Sequence, residues 1–454
     1  MLKSVWAIAG LTVRHVIRSR VVVLLGVGVV ASVVGVPWAL RSDGTAVGHV
    51  QLFLYYALGL AGVLLSLAAV WSGAGAVSLE MENRHVALMA CKPVHAWQLW
   101  MGKWLGLLVL NGWMLGMVGL LGGLGLAWSV RRAGAMSEVD RLRLAEEILV
   151  ARRNISPEPE DLAAPLARRV EELRRARVLA EGPLDPQTVS DIMDDLRREA
   201  ATVGPGGRKI WTFHVPEKSL SGRPMTLRFR FDGSGEGPLA TVAARWDILG
   251  PEGTVLFVRE GEFAPGAVHT IVVPADIAAA SGGHLRVAYG NVDAVGAPTV
   301  IFPTDGGLTL QVYSGPFLPN YLRALSVMFC RLAILSAIGL TFGCCFSFPV
   351  ASFVTFSLLL FASIEDRTVL PQGVDASLMA AWVEKWPAVH AFLVVLDAVI
   401  APLYRLEPLT NLSAGLLISW SFTARAMGDT ALYAVVLWGL GSGLLRRREV
   451  GLFG

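Results

Sequence analysis

Long stretches without charged side chains occupy both ends of the chain, and a charge-rich middle section separates them. A helix needs roughly 20 residues to cross a hydrocarbon core of about 30 Å. Three amino-terminal runs meet that length and predict spans one to three: 21–40, 50–79 and 104–130. The run 321–363 accommodates two short spans if the chain reverses near Pro349, and 427–445 predicts a short sixth span. We expect six spans, with eight as the alternative.

The middle section, residues 131–320, is chemically different, with 22 Lys and Arg against 25 Asp and Glu. Capping signals and charge patterns predict helices in its first part, at about 137–153, 158–180 and 186–202. From Ile210 onward apolar and polar residues alternate, as in 226–231, which is typical of half-buried strands. About eight short strands, separated by Gly, Pro and Asp turns, predict an antiparallel β-sandwich.

These patterns predict a polytopic α-helical membrane protein of about six transmembrane helices, with an inserted extracytoplasmic α+β domain that contains a β-sandwich. The predicted sections are 1–130 with spans one to three, 131–209 with the inserted helices, 210–316 with the sandwich, and 317–454 with spans four to six. Basic residues cluster before span one, between spans two and three, and after span six. The positive-inside rule therefore predicts a multi-pass protein of the plasma or inner membrane with both termini in the cytoplasm.

Composition narrows the functional classes. Hydrophobic residues make up 54% of the chain and charged residues only 17%, which excludes a disordered chain or a simple soluble enzyme. The net charge of +3 gives no reason to expect nucleic acid as a partner. The chain has no P-loop, H-E-x-x-H, C-x-x-C or G-x-S-x-G motif, so we expect no catalytic residues, cofactor or metal in it. His214, His269 and His284 could meet as metal ligands, but scattered histidines are more often unrelated.

Two charged residues interrupt apolar runs, where charge is costly and therefore marks a candidate polar site within the membrane. Arg331 lies about two turns into span four, where it would face a dimer cavity or contact an anionic substrate or lipid headgroup. The alternative, which we favour, is that Arg331 snorkels to the interface or pairs with Glu365 or Asp366. Asp397 indicates a re-entrant or interfacial helix rather than a full span.

The loop between spans two and three has the most specific pattern. It predicts a short amphipathic helix, at about 80–91, with acidic residues in its first turn and a proline that stops it. A second helix then enters the membrane. Such a segment suits contact with a cytoplasmic partner, and the residues predicted to make this contact are Glu80, Glu82, Arg84, Leu88, Lys92 and Pro93.

This loop, as far as Gly102-Lys103, resembles the coupling-helix region of ABC-2 type transporter permeases, the class that includes the copper-site maturation and gliding-associated permeases. Residues 11–20 look like the family's elbow helix, and span six followed by Arg446-Arg447-Arg448 looks like its carboxyl terminus. The resemblance implies a homodimer or heterodimer of permease subunits. Each would press its coupling helix onto a separate ATPase subunit, which binds the ATP and Mg that this chain does not hold.

The resemblance also implies that a re-entrant segment, about 386–425, helps to close the outer end of the pathway. The insertion at 131–320 departs from many simpler relatives, which have a short loop there. It leaves open whether a substrate is exported or the external domain acts mechanically on an extracytoplasmic protein or glycan; membrane lipid is an expected partner in both cases. A receptor or scaffold whose sandwich binds a ligand such as a glycan is the alternative. A membrane enzyme is disfavoured because no catalytic motif is present.

Overall fold

The computed structural model describes residues 2–39, 45–82, 95–133, 144, 146, 148–179, 182, 184–216, 222–234, 241–250, 252–280, 283–292, 298–303, 306–364 and 385–451. The chain divides into two compact units. The helical unit consists of Met1–Leu149 with Pro316–Gly454, and the β unit of Val150–Gly315. An inserted β unit within a mostly helical chain agrees with the coarse prediction.

The helical unit is built from long apolar helices around a shared core of aliphatic side chains. Its described helices are α1 (Leu2–Ile17), α2 (Arg20–Ala39), α3 (Ala46–Glu82), α4 (Ala96–Ala133), α8 (Phe317–Cys345), α9 (Phe348–Ile364), α10 (Pro387–Arg405), α11 (Leu409–Ser413) and α12 (Trp420–Gly451). With 37 and 38 residues, α3 and α4 are each about 55 Å long, well beyond the hydrocarbon thickness of a membrane.

Five segments of this unit are long and apolar enough to cross a membrane: Val47–Glu82, Ala96–Arg131, Phe317–Cys345, Pro387–Ser413 and Trp420–Arg447. The bent pair Lys3–Ile17 and Arg20–Val36, with 74° between its helices, makes a sixth if it counts as one span. The positions of these candidate spans along the chain differ from the sequence prediction. The helix at predicted span five, α9, has only 17 residues, whereas the stretch predicted to be re-entrant or interfacial is long enough to span.

Close backbone contact joins α3 to α8 at the centre of the unit. A Cβ atom at Gly343 would lie 2.5 Å from the Ala74 carbonyl oxygen, and one at Gly73 would lie 2.9 Å from the Ser336 carbonyl oxygen. Real Cβ atoms do not approach backbone so closely, so glycine is what permits these helices to touch. Small residues at helix interfaces allow the close packing that stabilises helix pairs in membranes.

The β unit holds two four-stranded sheets and one three-stranded sheet, with strand orders β1-β11-β4-β8, β3-β9-β6-β7 and β2-β10-β5. Its strands are β1 (Val150–Ile155), β2 (Thr202–Val203), β3 (Arg208–His214), β4 (Met225–Phe229), β5 (Asp232–Ser234), β6 (Val242–Leu249), β7 (Val255–Phe263), β8 (His269–Val273), β9 (His284–Asn291), β10 (Thr299–Ile301) and β11 (Leu308–Pro316). Its described helices are α5 (Ala163–Arg175), α6 (Pro186–Ala200) and α7 (Ala275–Ala280).

Alternating side chains of the two four-stranded sheets form one core. In β4, Met225, Leu227 and Phe229 are buried while the residues between them are only half-buried. The Phe229 ring lies 4.4 Å, between centroids, from the ring of Trp246 on β6 in the other sheet. Both belong to a continuous buried cluster to which both sheets contribute, and this is compatible with the predicted β-sandwich.

One local prediction for the insertion was wrong. Helices α5 and α6 fall within the predicted ranges 158–180 and 186–202, but Val150–Ile155 is a strand where a helix to residue 153 was expected. This strand pairs with β11, and the Gln311 side-chain amide donates a hydrogen bond to Asn154 Oδ1 at 3.1 Å. Pairing with a strand far along the chain outweighs local helix propensity, which is a weak preference.

Candidate functional site

A buried ion pair joins the end of α3 to the beginning of α4. The Lys103 ammonium, only 2% exposed, lies 2.7 Å from Glu80 Oε2 and donates a hydrogen bond to the Ala76 carbonyl oxygen at 2.6 Å. The Glu80 side chain is 19% exposed. Glu80 and Glu82 were predicted to lie in the first turn of a separate coupling helix at about 80–91, but they are among the last residues of the continuous helix α3. The pair joins this end of α3 to α4 across residues 83–94.

Glu82 extends this tie to α9. Its Oε1 accepts a hydrogen bond from the Phe348 backbone N–H at 2.9 Å, and Phe348 is the first residue of α9. The carboxylate therefore satisfies one of the unpaired N–H groups of that helix and lies at the positive end of its dipole. The Phe348 ring also packs edge-on against Trp71 of α3, with 4.7 Å between the centroids.

The amino-terminal helix α1 lies directly against the same part of α4. A Cβ at Gly102 would lie 2.8 Å from Ile8 Cβ, and one at Gly106 would lie 2.7 Å from the Ala9 carbonyl oxygen. The two glycines are four residues apart and share one helix face. Lys103 follows Gly102 directly, so the contact surface for α1 adjoins the buried ion pair.

The carboxyl-terminal helix α12 reaches the beginning of α4 as well. Trp438 Nε1 donates to the Trp97 carbonyl oxygen at 3.4 Å, and the two indole rings are 6.5 Å apart in an edge-on arrangement. A Cβ at Gly441 would overlap the Trp100 indole. The helices that carry the first and last basic clusters, α1 and α12, therefore both contact the beginning of α4.

The structure describes two of the six predicted coupling residues. Glu80 and Glu82 have the contacts given above, whereas Arg84, Leu88, Lys92 and Pro93 lie outside the described residues. Sequence reasoning treated Lys103 only as a flanking basic residue and missed its pairing. The available signal was a lysine in an otherwise apolar run, which is costly without a partner, with a glutamate at the other end of the same loop.

Arg331 borders a cavity of about 630 Å³ in the helical unit, between α2, α3, α8, α9 and the end of α10. Glu407 and Tyr404 line the same cavity. Arg331 Nε is buried and has no hydrogen-bond partner among the described residues. A guanidinium facing a large, mainly apolar cavity can attract an anionic group, so this is a second candidate site.

Of the acidic residues predicted for this region, the structure describes Asp397. Glu365 and Asp366, the partners expected for Arg331, lie outside the described residues. Asp397 on α10 accepts a hydrogen bond from the Tyr404 hydroxyl at 3.2 Å. The Asp397 carboxylate therefore contacts a residue that lines the cavity but does not itself line it.

The segment between α11 and α12, inside the predicted re-entrant region, is held by side chains of α8. Asn320 is fully buried, donates to the Leu416 carbonyl oxygen at 2.8 Å and accepts from the Ile418 N–H at 2.8 Å. Arg323 Nη1 donates to the Ile418 carbonyl oxygen at 2.6 Å. These bonds provide partners for backbone groups of Leu416 and Ile418, which lie outside any helix. Backbone N–H and C=O groups in a buried environment need such partners.

Replacing Asn320 by alanine is expected to lower the free energy of unfolding of the helical unit by about 2 kcal/mol, because the buried Ile418 N–H and the partly buried Leu416 carbonyl oxygen lose their partner. Thermal unfolding of the purified chain in detergent measures this change. Ser326→Ala on the same helix is the control, since its exposed hydroxyl bonds only within the helix. Equal melting temperatures for the two variants would contradict the role of Asn320.

Comparison of the chain with protein families, curated proteins and solved structures found no match.

Proposed function

We propose that this chain is the membrane-spanning permease subunit of an ABC-2 type transporter. It pairs with a second permease subunit, and each pair of subunits works with separate ATPase subunits that bind ATP and Mg. The observation that carries the proposal is the buried Glu80–Lys103 pair, which joins the first residue of the predicted coupling segment, about 80–91, to α4. An ionisable residue buried in an apolar span marks a candidate functional site by default, and Lys103 is such a residue.

The contacts around this pair connect the predicted coupling segment to several helices, so a movement of that segment would be transmitted to them. A displacement of residues 83–94 by a partner would act on α3 and α4 together, since the ion pair joins them. Through the bond from the Phe348 N–H to Glu82 it would also act on α9, and through the glycine contacts of α3 on α8. Coupling requires packed elements that move as units, and these helices have that packing.

The proposal assigns this end of the helical unit to the cytoplasm. The predicted basic clusters on α1 and α12 belong to helices that both contact the beginning of α4. Excess Lys and Arg on short loops marks the cytoplasmic side. The β unit, inserted after α4, is then extracytoplasmic, and ATP hydrolysis drives either export of a substrate or mechanical action of this unit on an external partner.

Co-purification tests the proposal directly. The tagged chain is extracted from its native membrane in mild detergent, the proteins present in stoichiometric amounts are identified, and vanadate-sensitive ATP hydrolysis is measured. A P-loop ATPase subunit with such activity supports the permease. A chain that purifies alone or with non-ATPase proteins, and hydrolyses nothing, overturns it in favour of a receptor or scaffold.

Arg84→Glu is expected to reduce ATP hydrolysis by the complex at least about tenfold, because it reverses a charge in the predicted coupling segment. Loss of one partner of a buried interfacial charge pair costs about 2 kcal/mol or more. Arg84 is a cleaner choice than Glu82, whose carboxylate accepts from the Phe348 N–H of α9. Lys3→Glu serves as the control, since it reverses an exposed charge on α1. Unchanged hydrolysis and unchanged retention of the ATPase in Arg84→Glu would count against residues 80–91 as the coupling segment.

A further inference from the structure

Two histidines and a glutamate converge at one edge of the β unit. His214 on β3, His284 on β9 and Glu158 each offer one ligand atom, and these three atoms lie within 4.8 Å of one another. The two imidazole rings are 4.9 Å apart between centroids. All three side chains are exposed, so an ion can reach them from solvent.

Strand pairing holds the two histidines face to face. His214 lies directly opposite His284 in the antiparallel ladder of β3 and β9. The Val215 N–H donates to the Gly283 carbonyl oxygen at 2.7 Å, so the adjacent His214–His284 pair is of the non-hydrogen-bonded kind. In such pairs the Cα atoms are only about 4.5 Å apart and the side chains are closest. The backbone therefore presents both imidazoles on one face of the sheet.

Glu158 is fixed beside this pair by its own backbone. It stands between Pro157 and Pro159, and a residue that precedes proline is restricted to extended conformations. Its N–H donates to the Thr212 carbonyl oxygen at 2.8 Å, which attaches the segment to the free edge of β3. Two residues further on, Glu160 lies 3.3 Å from the Lys209 ammonium. The carboxylate of Glu158 is thus placed next to the histidines by a constrained segment.

We propose that Glu158, His214 and His284 bind one divalent transition-metal ion, with Zn²⁺ the best match. Two imidazoles and a carboxylate are a recurrent set of protein ligands for zinc. Tetrahedral zinc with bonds of roughly 2.0–2.1 Å separates its ligand atoms by about 3.3 Å. The three exposed side chains reach that separation by rotation about their own torsions, and the fourth position is left for water or a donor atom from outside. The site lies wholly in the β unit and does not depend on the permease proposal.

The third histidine of the strand region does not join this group. His269 Nε2 lies 2.8 Å from the Ala264 carbonyl oxygen, and its ring lies 5.4 Å, between centroids, from that of Phe229. The sequence therefore brought forward one histidine that does not belong and missed the glutamate that does. His269→Gln provides a matched control for a general effect of removing a histidine from this unit.

Metal binding to the full chain in detergent tests the proposal. After chelation and removal of bound metal, the wild-type chain is titrated with Zn²⁺ by calorimetry and with Co²⁺, whose visible absorption reports tetrahedral nitrogen and oxygen ligands. We expect one ion per chain at this site. His214→Asn, His284→Asn and Glu158→Gln should each weaken that binding at least about tenfold, since loss of even an outer-shell partner costs that much.

The controls separate this site from adventitious binding by other histidines. Glu160→Gln and His269→Gln should bind Zn²⁺ as the wild-type chain does. The proposal is overturned if the wild-type chain binds no stoichiometric ion, or if His214→Asn/His284→Asn binds it undiminished. Because the three ligands are exposed, these variants should elute and unfold like the wild-type chain without metal, so that lost binding cannot be ascribed to a lost fold.

Discussion

Replacing Lys103 by methionine is expected to lower the free energy of unfolding of the helical unit by about 3 kcal/mol, the lower end of the cost of breaking a buried ion pair. The lower end applies because the Glu80 side chain is 19% exposed, so water can partly solvate its unpaired carboxylate. The Ala76 carbonyl oxygen loses its ammonium donor at the same time. Thermal unfolding in detergent, followed by tryptophan fluorescence, gives the loss of stability.

The double variant Lys103→Met/Glu80→Met separates the pair from its surroundings. With both charges gone no unpaired carboxylate remains, so most of the lost stability should return. Arg175→Met is the control, since its ion pair with Glu171 is largely exposed and should be worth less than about 1 kcal/mol. A double variant no more stable than Lys103→Met would show that Lys103 acts through packing rather than through the Glu80 charge.

The same variants bear on function. If the ion pair transmits force, ATP hydrolysis by the complex should respond to Lys103→Met even under conditions where the folded fraction matches that of the wild-type chain. Normal hydrolysis by folded Lys103→Met would leave the pair a role in stability alone. The permease proposal would then rest on the co-purifying ATPase subunit and not on this ion pair.

Gly343→Ala is expected to destabilise the helical unit by about 3 kcal/mol, the upper end of the usual cost of overpacking. The new methyl carbon would lie 2.5 Å from the Ala74 carbonyl oxygen, so α3 and α8 must separate. Backbone cannot yield as a flexible side chain does. The separation would also spread to the contact of Gly73 with the Ser336 carbonyl oxygen on the same helix pair.

Gly439→Ala supplies the matched control with the opposite sign. A Cβ at Gly439 meets nothing within 4 Å, so the substitution should be neutral or stabilise α12 through the higher helix propensity of alanine. The melting temperatures of the two variants, measured in the same detergent, test whether Gly343→Ala is the less stable. A Gly343→Ala chain as stable as Gly439→Ala would mean that α3 and α8 are not in close backbone contact at this position.

Much of the fold follows from local pattern. Apolar runs marked the regions of α2, α3, α4, α8 and α12, and alternation from Ile210 onward marked most strands of the β unit. These predictions succeed because the spacing of apolar residues along the chain determines which face of a helix or sheet is buried. The strand at Val150–Ile155 escaped, since its partner β11 lies far along the chain.

The candidate sites divide in the same way. The sequence was sufficient to identify Arg331 and Asp397 as charges within apolar runs, because the cost of a charge there depends on the neighbouring residues in the chain. It also marked Glu80 and Glu82 as acidic residues at the end of an apolar run. Three contacts became visible only in the folded chain. Glu80 pairs with Lys103, and Arg331 borders a cavity. Glu158, and not His269, lies beside His214 and His284. Such contacts depend on helix packing and strand register. Both bring together side chains that are far apart in the sequence, so the sequence separation does not predict the distance between them.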